Sequence, residues 1–142
     1  MKILILNGPN LNLLGKREPG IYGTQTLGEI FNDLVARFPQ HELHLEQSNH
    51  EGRLIDMLHE ADALFDAVVF NPGAYAHTSL ALADAVRSIS TPVIEVHMSN
   101  IHAREEYRSI SYIAAAAAGI ISGFGSEGYS LAILAAQKLH KS

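Results

Sequence analysis

Ala67-Val68-Val69-Phe70, running straight into Asn71-Pro72-Gly73, is an apolar run without polar alternation that ends in a turn sequence. A strand with one wet face alternates polar and apolar residues, so an unbroken run of this length suits a strand buried on both faces. Similar runs recur at Ile3 to Leu6, at Val93 to Val96, where Glu95 is the one polar residue, and at Gly119 to Ile121. His41 to Gln47 differs, because Leu43 and Leu45 alternate with polar neighbours as an edge strand facing water does. Five strands are expected.

Helical patterns separate them. Thr26 to Phe38 places Leu27, Ile30, Phe31, Leu34 and Val35 on one face, with Thr26 three residues before Glu29, the spacing of a capping box. Ser48 and Glu51 repeat that spacing ahead of Leu54, Ile55, Leu58 and Ala61, and helices are also expected over Ser79 to Ile89 and Gly128 to His140. Regular alternation of strand and helix implies a parallel sheet covered on both faces. With the edge-like strand second in sequence, the expected fold is α/β, a flavodoxin-like three-layer sandwich with a five-stranded parallel sheet of order 2-1-3-4-5. At 142 residues and 47% hydrophobic content, residues 1–142 are expected to form a single domain.

Composition narrows the partners. A net charge of -5 with only 10 Lys plus Arg and no basic run argues against nucleic acid and for a small molecule. Zero cysteines exclude disulfides and thiolate chemistry. The apolar run Ile3 to Leu6 is too short for a signal peptide, and Ile113 to Ile121 is too short to cross a membrane, so a soluble, cytoplasmic protein without membrane partners is expected.

In open α/β sheets ligands bind beyond the carboxyl ends of the strands, where the strand order reverses, here between the first and third strands. The polar residues sit there. The first strand feeds a long Gly- and Pro-containing segment, Asn7 to Gly23, with Asn10, Asn12, Lys16, Arg17, Glu18 and Tyr22, a length typical of functional lids. After the third strand come Asn71, Tyr75, His77, Thr78 and Ser79, and the fourth leads through Glu95, His97, Met98, Ser99 and Asn100 to Arg104 and Arg108. Singly, each has a bland reading: Asn71-Pro72-Gly73 as a turn, Glu95 and His97 as a structural pair on one sheet face. Arg104 and Arg108, four apart, read as a solvated helical face without an intervening carboxylate.

Together the segments resemble a known family. Asn7-Gly8-Pro9-Asn10-Leu11-Asn12-Leu13-Leu14-Gly15 with Arg17-Glu18-Pro19 and Tyr22-Gly23 is similar to the N-terminal signature of type II 3-dehydroquinate dehydratases. Asn71-Pro72-Gly73-Ala74-Tyr75 with His77-Thr78-Ser79, and Glu95-Val96-His97 with Ser99-Asn100, Ala103-Arg104-Glu105 and Arg108, resemble its other two. The resemblance implies trans-dehydration of 3-dehydroquinate to 3-dehydroshikimate through an enolate, in the shikimate pathway, with no metal, cofactor or Schiff base. By the same matching Tyr22 is the base and His97 the acid, oriented by Glu95, while Asn10 stabilises the enolate. A free tyrosine titrates near ~10, so Tyr22 needs cations beside it, and Arg17 and Arg104 match. Asn71, His77 and Arg108 match residues that hold ring hydroxyls, and Ser99 and the backbone at Met98 match the carboxylate site. Asp84 matches a residue supplied across a subunit contact, within a homododecamer built from trimers.

Other chemistries fit less well. Gly123-Phe124-Gly125-Ser126-Glu127-Gly128 has the form of a dinucleotide fingerprint, but too little chain follows for the second strand and the acidic ribose ligand. A Schiff base needs a buried lysine, whereas the lysines are Lys2, Lys16, Lys138 and Lys141. His41-Glu42-Leu43-His44 falls on the expected edge strand and lacks metalloprotease spacing. A flavodoxin-like binding module that cradles an anion without turnover is the alternative from another class.

Overall fold

The computed structural model describes residues 1–141. Strands β1 (Lys2–Asn7), β2 (Glu42–Gln47), β3 (Ala67–Asn71), β4 (Val93–His97) and β5 (Gly119–Ser122) alternate with helices α1 (Pro19–Tyr22), α2 (Leu27–Arg37), α3 (Glu51–Leu64), α4 (Leu80–Ser88) and α5 (Glu127–Lys141). All four strand pairings are parallel, and the order is β2-β1-β3-β4-β5. The expected flavodoxin-like sandwich is the observed one.

Strand alternation sorts the core into two layers. Ile3, Ile5, Val69, Ile94 and Val96 face Leu34 of α2 and Tyr129 and Ile133 of α5. Leu4, Leu6, Val68, Phe70 and Val93 face Leu54 and Leu58 of α3 and Leu82 of α4. Residues of β1, β3 and β4 are buried on both faces, apart from the half-buried Lys2, which is why their sequences lack alternation. β2 alternates exposed and half-buried residues, as an edge strand must.

Two local expectations are corrected. Gly119 to Ile121 reads as a strand buried on both faces, yet Gly119 and Ile120 are exposed, because β5 forms the second edge of the sheet. Nor does Ser48 cap α3: the N-cap is His50, and Ser48 Oγ instead accepts from the His50 N–H at 3.0 Å, closing the turn that precedes the helix. The box at α2 forms as expected, with Thr26 Oγ1 accepting from the Glu29 N–H at 3.1 Å and the Glu29 carboxylate accepting from the Thr26 N–H at 3.3 Å.

Thr26→Ala removes one half of that reciprocal cap and is expected to lower the unfolding free energy by about 1 kcal/mol in a urea titration. An unchanged midpoint would show that the box adds nothing to α2.

Candidate active site

β1, β3 and β4 end side by side, with Asn7 in register with Asn71 and His97 at the terminus of β4. The chain after β1 passes close over the end of β3. Gly8 donates its N–H to the Asn71 carbonyl at 2.7 Å, and a Cβ on Gly8 would lie 2.3 Å from the Pro72 carbonyl oxygen, so this crossing needs glycine. Asn10 then adopts a left-handed conformation (φ 69°), and its N–H donates to Asn49 Oδ1 at 3.0 Å. Gln47 Nε2, from the end of β2, donates to both the Gly8 carbonyl and Asn49 Oδ1 at 3.1 Å. The long loop is thereby pinned to the neighbouring strand end.

α1 begins with Pro19, whose fixed φ suits a first helical turn, and it carries Tyr22 back over the strand ends. Arg104 Nη1 donates to the Tyr22 hydroxyl oxygen at 2.7 Å and lies 3.4 Å from Ser99 Oγ. The Arg17 guanidinium stands 5.0 Å from the centre of the Tyr22 ring and that of Arg104 5.6 Å. The two cations expected beside Tyr22 are both in place.

His97 and Glu95 share a sheet face, as their spacing requires. His97 Nε2 meets Glu95 Oε2 at 2.5 Å, with Glu95 fully buried and His97 only 5% exposed. Ser111 Oγ donates to the same carboxylate oxygen at 2.7 Å and accepts from the Ala114 N–H. With Nε2 committed to Glu95, Nδ1 is the His97 nitrogen available to a ligand.

His77 lies against His97, ring centres 6.0 Å apart and nearly parallel, and its Nδ1 donates to the Ile110 carbonyl at 2.7 Å. That bond directs Nε2 elsewhere as an acceptor in the neutral ring. Burial is the main force holding the His77 pKa below its ordinary value, and the nearby His97 and Arg108 add to it.

The expectation for Arg104 and Arg108 is corrected. They do not share a helical face: Arg104 follows one short 3-10 turn, Ile101–Ala103, and Arg108 closes the next, Glu106–Arg108. Glu105 stands between them, its Oε2 lying 3.8 Å from Arg104 Nε and 3.0 Å from Arg108 Nε. Glu105 meets both guanidiniums at Nε, while both arginines line the pocket.

These residues gather around a single cleft, open to solvent, at the strand ends. Asn10, Arg17, Tyr22, Asn71, His77, His97, Met98, Ser99, Arg104 and Arg108 all line it, and Glu95 sits behind His97. Asp84 does not: it lies exposed on α4, 3.4 Å from Arg87. The lining also includes Pro9, Leu11, Gly73 and Ala74, which stand within the signature segments without a chemical role of their own, and Ile101. With three arginines and no carboxylate in the lining, the pocket suits a small anion. None of the described lysines lines it.

Parallel-sheet topology, a pocket at the order reversal, a tyrosine held by arginines and a histidine backed by a carboxylate define a flavodoxin-like chain built for acid–base work on a small anionic molecule. The chain belongs to the class II dehydroquinase family, whose model, described as Dehydroquinase class II, matches residues 1–137. It is 62% identical over 133 residues to the 3-dehydroquinate dehydratase of Bacillus licheniformis, covering 92% of each chain. To 3-dehydroquinate dehydratase 1 of Agrobacterium fabrum it is 58% identical over 139 residues, covering 96% of each. The crystal structure of the type II dehydroquinase from Butyrivibrio crossotus superposes with a TM-score of 0.94 at 45% identity, covering 96% of this chain and 97% of that one.

A lowered His77 pKa means that folding favours the neutral ring. Its effect on stability is therefore neutral above the unfolded value of 6.5 and increasingly unfavourable as the pH falls below it. In an NMR titration the His77 ring is expected to protonate with a midpoint below 6.5; a midpoint at or above that value would contradict the burial ascribed to it.

Proposed function

We propose that this chain, acting as a single catalytic domain over residues 1–142, is a 3-dehydroquinate dehydratase that removes water from 3-dehydroquinate to give 3-dehydroshikimate in the shikimate pathway. Family membership and the relatives' names support the reaction. The assignment of roles is supported above all by one observation: the Tyr22 oxygen lies 2.7 Å from Arg104 Nη1 in the same pocket as the His97–Glu95 pair.

The substrate is an anionic ring carrying a ketone, hydroxyls and a carboxylate. Its carboxylate binds at Ser99 Oγ and the Met98 backbone, and Asn71, His77 and Arg108 hold the ring hydroxyls. Negative charge on the Tyr22 oxygen is attracted by Arg104 and Arg17, so the oxygen serves as the base. It takes a proton from the carbon beside the ketone, and the electron pair of that C–H bond passes onto the ketone oxygen as an enolate. Asn10 stabilises the enolate through a bound water, preorganised because its backbone is tied to Asn49. The enolate then collapses: a carbon–carbon double bond forms, the bond to the departing hydroxyl breaks, and His97 supplies the proton that lets it leave as water. Glu95 keeps His97 oriented, and Ser111 holds Glu95.

The resemblance further supports a cytoplasmic homododecamer built from trimers, in which Asp84 completes a neighbour's site. The exposure of Asp84 on α4 leaves it accessible for such a role. Among the described residues no helix is long and apolar enough to cross a membrane.

The product's conjugated enone absorbs in the ultraviolet, so adding 3-dehydroquinate to the purified protein without metal is expected to give a rising absorbance. A flat trace would favour the anion-binding module instead. Tyr22→Phe is expected to lower kcat by at least about a hundredfold, the scale of a lost general base, while the fold persists; near-normal turnover would place the base elsewhere. Sedimentation is expected to show a large oligomer, and an active monomer would remove any need for Asp84 in trans.

A further inference from the structure

The segment Gly123 to Gly128, which has the form of a dinucleotide fingerprint, leads directly into Tyr129 on α5. Its last glycine has a packing role. A Cβ on Gly128 would lie 3.2 Å from Val96 Cγ1 and 3.7 Å from Ile121 Cγ2, so the missing side chain lets the first turn of α5 press against β4 and β5. At that depth Tyr129 is completely buried, and its hydroxyl lies between the ends of β1 and β3.

The hydroxyl belongs to a chain of hydrogen bonds with one allowed direction. Asn7 Nδ2 donates to the Glu46 carbonyl at 3.3 Å, which leaves Asn7 Oδ1 to accept from the Tyr129 hydroxyl at 2.6 Å. The Tyr129 oxygen in turn accepts from Asn71 Nδ2 at 2.9 Å, and Asn71 Oδ1 accepts from the Gly73 N–H at 3.2 Å. The terminal groups are a backbone carbonyl, which can only accept, and a backbone N–H, which can only donate. Neither can reverse, so both side-chain amides and the hydroxyl between them are held in one orientation. Burial pushes the Tyr129 pKa up, keeping the hydroxyl neutral and able to both donate and accept.

Asn7 and Tyr129 do not line the pocket, but Asn71 does. With one Nδ2 proton taken by Tyr129 and one Oδ1 lone pair by Gly73, a single N–H and a single lone pair remain on Asn71, both in fixed positions. We infer that Tyr129 is a positioning residue for ligand binding, fixing from beneath the sheet edge which atom of the Asn71 amide meets each hydroxyl of the bound ring. Without its oxygen the amide is tied only through Gly73, so turning over to present donor where acceptor is needed costs one hydrogen bond rather than two. The inference rests on the dehydratase reading, in which Asn71 meets the substrate ring.

Steady-state kinetics of Tyr129→Phe, measured well below its melting temperature and beside the wild-type enzyme, test it. The variant lacks one oxygen and keeps the aromatic packing. KM for 3-dehydroquinate is expected to rise about tenfold, the scale of one hydrogen bond to the substrate, while kcat falls less than about threefold. A merely structural tyrosine would lower the melting temperature and leave KM alone, and that result would overturn the inference. Should Tyr129→Phe fail to fold, Asn7→Ala applies the same test from the remote end. Removing the acceptor frees the Tyr129 proton to turn, so KM is again expected to rise, and a folded Asn7→Ala enzyme with unchanged KM would overturn the inference. An inactive wild-type enzyme would instead overturn the dehydratase reading itself.

Discussion

Parallel pairing of β1 with β3, with Asn7 opposite Asn71, is the constraint on which the rest of the structure depends. Because both strands run the same way, their carboxyl ends open on one edge of the sheet. Because the chain leaves β1 for the β2 side and later continues from β3 to β4, the connections diverge and a crevice opens between them. The Gly8 N–H bound to the Asn71 carbonyl draws the departing loop tightly across that crevice. Asn71 and His97 are placed directly by where they end their strands.

The loop carrying Tyr22 is anchored in the core by the buried Leu11 and Leu14, and two sets of polar contacts fix its ends. Gln47 and Asn49 hold its beginning through backbone groups, while Arg104 holds its end through the Tyr22 hydroxyl. This division links position to chemistry. The contact that ties down the end of the loop is also the one that sets a guanidinium against the Tyr22 hydroxyl, the oxygen proposed as the base. His97 is the opposite case: it sits on a buried strand with Glu95 and Ser111 behind it, held in the scaffold itself.

Much of this was legible in the sequence. Unalternating runs marked β1, β3 and β4 because burial on both faces removes any selection for polar positions, and the alternation of Leu43 and Leu45 marked β2 as an edge. β5 misled for a physical reason: Ile120 and Ile121 are apolar whether or not the chain itself covers them, and here the sheet simply ends. Strand ends and family motifs together located ten residues that line one pocket. What pattern reading missed are partners distant in the chain: Ser111 behind Glu95, Asn49 beneath Asn10, Tyr129 beneath Asn71. Each is an ordinary polar residue until the fold brings it to its partner. Glu105 escaped notice because helical spacing does not hold where two separate 3-10 turns let one carboxylate reach both arginines.

The division of labour between Tyr22 and His97 is the central claim, and isotope exchange separates the two steps. In heavy water, a His97→Asn enzyme incubated with 3-dehydroquinate is expected to exchange the hydrogen beside the ketone with solvent while releasing little product, because the base survives and the acid does not. Tyr22→Phe is expected to do neither. Exchange persisting at the wild-type rate in Tyr22→Phe would contradict the account, since another group would then be removing the proton.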